Sequence, residues 1–220
     1  MHAIYQRIVS FRVVPVIEIE DAEDAVPLAD ALADGGLPVA EITFRTAAAA
    51  AAIERIVHQR PGMLVGAGTV ISEQNLRSAV DCGAQFGISP GFNHGIYAEA
   101  VKRKFPFIPG IMTPSDVGNA IDAGAKLLKF FPAGAAGGIQ MLKSIAAPYA
   151  HTGVRFIPTG GVNEDNLKSY LALNIVLAVG GTWIAKREDI AFKRWSVIRD
   201  NCRKVVDTVS ELKATTSTAL

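Results

Sequence analysis

The feature of this sequence that most restricts its fold is a regular alternation of short apolar runs with longer amphipathic segments from residue 13 onward. Short β-branched runs predict buried strands, and the segments between them predict helices. Strands that alternate with helices form parallel βαβ units. The eight predicted strands cover residues 13–19, 39–44, 63–69, 85–89, 107–111, 127–131, 155–158 and 176–179.

Eight strands are the number that closes a (β/α)8 TIM barrel, and we expect residues 1–220 to form one such domain. An open doubly wound sheet is the alternative, but no GxGxxG sequence opens the first helix after strand one. An extra N-terminal helix is predicted over residues 1–10, and a frayed tail over residues 213–220. The other predicted helices cover residues 21–35, 46–60, 72–82, 93–104, 114–123, 139–147, 164–173 and 187–212.

Composition excludes several classes of function. The chain of 220 residues has a formal net charge of +1, so it lacks the basic surface of a nucleic-acid-binding protein. Cys82 and Cys202 lie far apart without CxxC spacing, which favours a reducing cytoplasm. The four histidines have no metal-ligand spacing, so no metal site is expected. No signal peptide or membrane span is expected either.

A lysine inside one of the predicted strands stands out from the apolar pattern. Residues 127–131 read Leu-Leu-Lys-Phe-Phe, and strand alternation places Leu127, Lys129 and Phe131 on one face. If that face is buried, loss of hydration disfavours the ammonium ion and makes a neutral amine accessible. Schiff-base chemistry with a carbonyl substrate requires such an amine. A lysine whose head group reaches solvent is the structural alternative.

Strand two ends in a second polar pattern, AEITFRT over residues 40–46. Alternation predicts that Glu41, Thr43 and Arg45 share one face. The active site of a (β/α)8 barrel lies at the C-terminal ends of its strands, so we expect Glu41 and Arg45 at the mouth. The carboxylate would transfer protons, and the guanidinium would bind a substrate carboxylate through two hydrogen bonds. A purely structural Glu41–Arg45 ion pair is the alternative.

Other strand ends carry hydroxyl groups and glycines. Thr69 ends strand three, and Ser89-Pro90-Gly91 after strand four predicts a tight turn. Glycine pairs follow strands seven and eight, where the loops of this fold expose backbone N–H groups to phosphate. Two plain turns are the alternative. The two candidate phosphate loops contain Thr159, Gly160 and Gly161, and Gly180, Gly181 and Thr182.

Together, these motifs resemble the 2-keto-3-deoxy-6-phosphogluconate (KDPG) aldolase family, whose members often also act as 4-hydroxy-2-oxoglutarate aldolases. The resemblance extends from residue 14 to residue 183. It rests on AEITFRT (40–46), VGAGTV (65–70), GISPGF (87–92), IPGI (108–111), KFFPAG (129–134), PTGGV (158–162) and GGTW (180–183).

The resemblance implies a class I aldolase of the cytoplasm that acts on a 2-oxo acid without a metal or other cofactor. It also implies a homotrimer and a place in the Entner–Doudoroff pathway. Lys129 matches the Schiff-base lysine, and Glu41 matches the general acid and base. Residues that match substrate ligands are Arg45 and Thr69 for the carboxylate, Pro90 for the pyruvate pocket, and Thr159, Gly160, Gly161, Gly180, Gly181 and Thr182 for the phosphate.

One residue departs from the family motif. The motif usually reads KFFPAE, whereas this chain has Gly134 at the last position. The departure leaves Lys129 and Glu41 in place, so carbon–carbon cleavage is expected, but the preferred sugar chain stays open. The alternatives are an aldolase for the galactonate epimer, a phosphate-binding barrel isomerase or epimerase without a Schiff base, and a sugar-phosphate-binding regulator without activity.

Overall fold

The computed structural model describes residues 2–217 and shows a ring of parallel strands surrounded by helices. Nearly every strand residue is buried, as expected for strands that lie between a packed interior and a helical layer. The strands are β1 (Val13–Ile17), β2 (Val39–Thr43), β3 (Leu64–Gly68), β4 (Phe86–Ile88), β5 (Phe107–Ile108), β6 (Gly110–Ile111), β7 (Leu127–Phe130), β8 (Arg155–Pro158) and β9 (Val179–Gly181).

Strand pairing closes the ring in chain order. Six strands form one sheet in the order β5-β4-β3-β2-β1-β9, and three form another in the order β6-β7-β8. Parallel bridges from Phe156 to Val176 and from Thr159 to Gly180 connect β8 to the last strand segment. The predicted (β/α)8 barrel is therefore confirmed, and the open doubly wound sheet is not the fold.

The fifth strand of the barrel is split, contrary to the continuous strand predicted over residues 107–111. Pro109 separates β5 from β6, since proline has no N–H to donate to a neighbouring strand. The Pro109 carbonyl still accepts a hydrogen bond from the backbone N of Lys129 at 2.9 Å. β5 pairs with β4 and β6 pairs with β7, so the split strand joins the two sheets.

Helices cover the outside of the ring, and α1 precedes the first strand as predicted. Their bounds are α1 (Ala3–Phe11), α2 (Ala25–Asp34), α3 (Ala49–Gln59), α4 (Glu73–Asp81), α5 (His94–Lys102), α6 (Pro114–Asp122), α7 (Gly138–Ala146), α8 (Glu164–Leu171), α9 (Arg187–Ala191) and α10 (Trp195–Ser217). Two 3₁₀ helices, Ala22–Asp24 and Ala147–Thr152, precede α2 and follow α7. None of the helices in residues 2–217 is both long enough and apolar enough to cross a membrane.

The C-terminal part of the chain differs from the sequence-based expectation. The single helix predicted over residues 187–212 is broken between α9 and α10, where Lys193 adopts a left-handed φ of 53°. Helix α10 continues to Ser217, five residues past the helix end predicted at residue 212. The predicted frayed tail over residues 213–220 stays a prediction. Residues 218–220 of that prediction lie outside the described part of the chain.

The last strand is also displaced from its predicted position. Residues 176–179 were expected to form it, but β9 begins at Val179 and contains Gly180 and Gly181. Both glycines pair with β1, opposite Val14 and Pro15. The loop after the last strand therefore begins at Thr182, two residues later than the sequence pattern indicates.

Side-chain caps begin several helices. Ser72 caps α4 by accepting a hydrogen bond from the backbone N of Asn75 at 3.0 Å. Asp21 caps the 3₁₀ helix rather than α2, because its carboxylate accepts from the backbone N of Glu23. The start of α6 is a reciprocal capping box formed by Thr113 and Asp116.

The capping carboxylate of α6 has an altered pKa. Burial raises the pKa of Asp116, but hydrogen bonds from the backbone N–H groups of Met112 and Thr113 and from the Thr113 side chain outweigh that effect. The net result is a pKa below the usual value for an aspartic acid. The ionised form of this carboxyl therefore stabilises the start of α6.

The barrel interior combines large apolar side chains with glycines. In a parallel sheet, residues in register project to the same face, which places Glu41, Gly66 and Phe86 together. A Cβ atom on Gly66 would lie 2.2 Å from the Phe86 ring, so the glycine leaves space that this ring fills. Polar side chains buried in this structure include Glu41, Thr43, Ser89, Lys129 and Thr159, all on or just after barrel strands.

Candidate active site

Lys129 and Glu41 form a buried pair across the barrel. Lys129 lies in β7 with 5% of its surface exposed, and Glu41 lies in β2 with 1% exposed. The Nζ atom of Lys129 donates a hydrogen bond to Oε1 of Glu41 at 3.2 Å. Two residues that are 88 positions apart in the sequence are thus in direct contact, because their strands face each other across the ring.

Small residues make room for this pair. A Cβ atom on Gly68 would lie 2.3 Å from Oε1 of Glu41, so only glycine permits the carboxylate to occupy its position. Gly110 is in register with Lys129, and a Cβ atom there would lie 2.2 Å from the Pro90 backbone. The turn at Pro90 therefore approaches the strand beside the lysine. The Phe131 ring centroid lies 5.2 Å from Nζ of Lys129.

Ser89 fixes the turn that carries Pro90. Its hydroxyl donates to the Gly91 carbonyl at 2.7 Å and accepts from the backbone N of Gly110 at 3.4 Å. The side chain is 3% exposed. Sequence reasoning treated this residue only as part of a turn. A small hydroxyl side chain at the end of a buried strand is the signal that could have identified it.

Arg45 lies beyond the end of β2, so the strand alternation that was expected to include it stops before this residue. Strand β2 ends at Thr43, and the backbone N of Arg45 donates to the Thr43 carbonyl at 2.8 Å in a three-residue turn. The turn ends the strand alternation that the prediction assumed. The Arg45 side chain is 49% exposed and pairs with Glu18, not with Glu41. A structural Glu41–Arg45 ion pair is thereby excluded.

Thr69 lies directly after β3 in a rare backbone conformation. Its φ angle is 55°, in the left-handed region that β-branched residues seldom occupy. The preceding residue, Gly68, packs on Glu41, so the rest of the loop starts from a fixed position. Backbone strain of this kind costs about 1–3 kcal/mol and occurs where the surrounding structure imposes it. The strained turn holds the partly buried Thr69 side chain beside the Glu41 strand.

The loop after β8 presents backbone donors. Gly160 and Gly161 have φ angles of 84° and 86°, which favour glycine. Their N–H groups donate no hydrogen bond to any residue that the structure describes. The Gly160 carbonyl accepts from the backbone N of Gly134 at 2.7 Å, which joins this loop to the residues after β7. Two adjacent free N–H groups form a concave site suited to an anion.

Thr159 and the glycines of β9 lie deeper than expected. Thr159 is 2% exposed, and register with Gly180 places it at the β8–β9 junction inside the ring. A Cβ atom on Gly180 would lie 2.3 Å from the Thr159 hydroxyl, and one on Gly181 would lie 2.4 Å from the Trp183 ring. The two glycines thus serve close packing within a strand. The predicted second loop is reduced to Thr182, which is exposed.

Two further observations describe the chemistry available to the described residues. They contain no group of three or more histidine, cysteine, aspartate or glutamate side chains arranged to hold a metal ion. The cysteines Cys82 and Cys202 are both free thiols. The nucleophile that the geometry offers is the buried amine of Lys129.

Comparison with known proteins gives a consistent result. A family model described as "KDPG and KHG aldolase" matches residues 4–200. The chain is 44% identical over 191 residues to 2-dehydro-3-deoxy-phosphogluconate aldolase of Treponema pallidum, covering 87% of this chain and 90% of the relative. It is 43% identical over 195 residues to KHG/KDPG aldolase of Escherichia coli K12, covering 89% of this chain and 91% of the relative.

A solved structure agrees with these sequence relatives. It is a crystal structure of KDPG aldolase from Legionella pneumophila with pyruvate captured at low pH as a covalent carbinolamine intermediate. The two chains are 41% identical and superpose with a TM-score of 0.88, over 93% of this chain and 98% of the Legionella chain.

Proposed function

Because this chain belongs to the KDPG and KHG aldolase family, we propose that it is a class I aldolase that uses Lys129 as its Schiff-base nucleophile. The substrates are 2-dehydro-3-deoxy-6-phosphogluconate, cleaved to pyruvate and glyceraldehyde 3-phosphate, and 4-hydroxy-2-oxoglutarate, cleaved to pyruvate and glyoxylate. The observation that carries the proposal is the buried hydrogen bond between Lys129 and Glu41, 3.2 Å long. It joins an amine nucleophile to a proton acceptor in a site shielded from water.

The reaction begins at the amine. Neutral Nζ of Lys129 attacks the C2 carbonyl carbon of the substrate, and the carbonyl oxygen takes up a proton to give a carbinolamine. Loss of water leaves an iminium ion. This cation accepts the electron pair of the C3–C4 bond, so the bond breaks to an enamine and an aldehyde. The lysine thereby supplies the electron sink itself, and the proposed reaction requires no cofactor.

Glu41 moves the protons. Its carboxylate accepts the proton of the C4 hydroxyl, through a water molecule, as the aldehyde forms. It then returns a proton to C3 of the enamine, and hydrolysis of the resulting iminium frees pyruvate and the lysine. The direct contact with Nζ of Lys129 supports this role, because the carboxylate is within proton-transfer distance of the reacting nitrogen.

Substrate groups on either side of the reacting carbons have separate ligands in this proposal. Arg45 and Thr69 hold the carboxylate at the ends of β2 and β3, and the Pro90 turn lines the pyruvate pocket. The free N–H groups of Gly160 and Gly161 bind the phosphate. Gly180 and Gly181 support that site from within β9, with Thr159 packed against them and Thr182 at the rim.

Trapping with pyruvate and borohydride tests the function. Reduction of the iminium converts it to a stable secondary amine, so wild-type protein should gain the mass of one reduced pyruvyl group, located at Lys129 by peptide mapping. A Lys129→Ala variant should gain none and should have no aldolase turnover. A barrel isomerase, epimerase or binding protein would gain no covalent mass. Absence of the adduct in the wild type would therefore refute the proposal.

A second candidate substrate is the C4 epimer, 2-dehydro-3-deoxy-6-phosphogalactonate. The observation that favours it is Gly134, which lacks a side chain beside Gly160 and Gly161 and leaves the mouth more open than a glutamate would. Steady-state kinetics with both epimers would distinguish them. A kcat/KM for the gluconate epimer at least tenfold higher would assign that substrate.

We also propose that the protein is a cytoplasmic homotrimer. Two apolar side chains just after strand ends are exposed, Ile71 at 61% and Met112 at 43%, which supports contact with another subunit. The free thiols Cys82 and Cys202 support a reducing compartment. Sedimentation equilibrium should give three times the chain mass of 23.3 kDa. A monomer at micromolar concentration would contradict the assembly but not the activity.

A further inference from the structure

The Arg45 guanidinium is held at the rim of the barrel by a single long ion pair. Its Nη1 atom lies 3.6 Å from Oε2 of Glu18, which follows β1. The side chain of Arg45 donates no hydrogen bond to any residue in the described part of the chain. The five N–H donors of the guanidinium are therefore available to a ligand, while one edge of the group is drawn towards a carboxylate.

Glu18 is itself held by a second arginine. Nη1 of Arg187, the first residue of α9, lies 3.2 Å from Oε1 of Glu18. The other terminal nitrogen of Arg187 lies 2.7 Å from Oε1 of Glu20. Glu18 is the least exposed of these charged groups, at 26% against 49% for Arg45 and 64% for Arg187. A half-buried carboxylate thus lies between two arginines from different elements.

We propose that Glu18 is a positioning residue for Arg45 and that Arg187 holds Glu18 in place. This inference rests on the role of Arg45 as the substrate-carboxylate ligand. A free arginine side chain samples many rotamers, and it loses this conformational entropy when it binds a planar carboxylate in a single rotamer. Glu18 restricts that freedom beforehand without occupying the hydrogen-bond donors. Arg187 balances the charge of Glu18, so that Arg45 keeps its attraction for the substrate.

A KM-against-kcat comparison tests this role. Glu18→Gln should raise the KM for 4-hydroxy-2-oxoglutarate and for the phosphorylated substrate about three- to fivefold, the range of an exposed ion pair. The two KM values should rise by the same factor, because both substrates carry the same 2-oxo carboxylate. The kcat should change less than twofold, since Lys129 and Glu41 are untouched. Glu18→Asp should recover part of the loss. Glu99→Gln, which removes an ion-paired glutamate on the outer helix α5, is the control and should leave both constants unchanged.

A double-mutant cycle separates positioning from a general effect on the fold. In an Arg45→Ala background, Glu18→Gln should have no further effect on KM, because nothing is left for Glu18 to orient. Arg187→Met should raise KM about two- to threefold in the wild type and should have no effect once Glu18 is changed. Pyruvate trapping with borohydride, measured at several pyruvate concentrations, gives the same comparison without turnover.

The outcomes distinguish this inference from the function itself. A fall in KM on Glu18→Gln would show that Glu18 competes with the substrate for Arg45 and would overturn the proposal. An equal rise in KM with and without Arg45 would overturn it as well. An unchanged KM in Arg45→Ala would refute the role of Arg45, and with it this inference. In every case, an adduct at Lys129 would leave the aldolase assignment standing.

Discussion

The contact between Lys129 and Glu41 makes a prediction about stability that is separate from catalysis. Lys129→Met removes the amine but keeps an unbranched side chain of similar length. It leaves the Glu41 carboxylate 1% exposed with no cation beside it. At 3.2 Å the attraction between two unit charges is about 5 kcal/mol at an effective dielectric constant of about 20. Loss of one partner from a buried pair typically costs about 3–5 kcal/mol.

The double variant Lys129→Met with Glu41→Gln removes the carboxylate charge as well. A neutral amide at this position needs no counter-ion, so most of the penalty that follows from burying an unpaired charge should disappear. The comparison of the single and double variants therefore isolates the charge from the loss of packing.

Urea unfolding followed by circular dichroism measures this effect. We expect Lys129→Met to lose about 3–5 kcal/mol of the free energy of unfolding. The double variant Lys129→Met with Glu41→Gln should be more stable than Lys129→Met alone, because it leaves no unpaired charge in the barrel. A loss below about 1 kcal/mol in Lys129→Met, or an equal loss in the single and double variants, would refute the buried unpaired carboxylate on which the reasoning rests.

Three further predictions concern residues around the site and one helix start. Thr69→Gly should relieve the left-handed backbone strain, so the free energy of unfolding should stay unchanged or rise by about 1 kcal/mol; a lower stability would argue against strain. The KM for both proposed substrates should rise several-fold in steady-state assays. Gly161→Ala should raise the KM for the phosphorylated substrate more than for 4-hydroxy-2-oxoglutarate, because Gly161 has a φ of 86° and a Cβ atom there would lie 2.9 Å from Cα of Gly134; equal changes would contradict the phosphate role. Asp116→Asn should cost about 1 kcal/mol in urea unfolding at pH 7. Because the pKa of Asp116 is below its usual value, this difference should be present above about pH 4 and disappear as the pH falls through the lowered value; a constant difference at all pH values would contradict it.

Sequence reasoning predicted those parts of the molecule that depend on local pattern. The apolar runs identified the barrel strands, and alternation within β7 placed Leu127, Lys129 and Phe131 on one face without deciding whether Lys129 is buried. It failed where the chain leaves a regular element. Arg45 was assigned by strand alternation, but the turn at Thr43 ends the strand first. The loop expected at Gly180 is a strand, because β1 supplies a partner that no local signal indicates.

Contacts between elements that are distant in the sequence were also not predictable from local pattern. The sequence does not indicate that Glu18, after β1, meets Arg187, at the start of α9, since the pairing depends on closure of the ring between β1 and β9. The family resemblance placed Lys129 and Glu41 in one active site, and the barrel explains their contact, because β7 and β2 lie on opposite sides of the ring. Residue spacing alone predicts neither contact.

The junction between β8 and the last strand segment is the least connected part of the ring. It is held at two separate points, around Phe156 and at Thr159, whereas other neighbouring strands share a continuous ladder. We expect amide hydrogens of residues 175–178 to exchange with deuterium faster than those of β1 to β3. A phosphate that contacts the backbone of both β8 and β9 would link the two strands at this junction. Ligand binding should therefore slow amide exchange in residues 175–178 more than in any other strand segment.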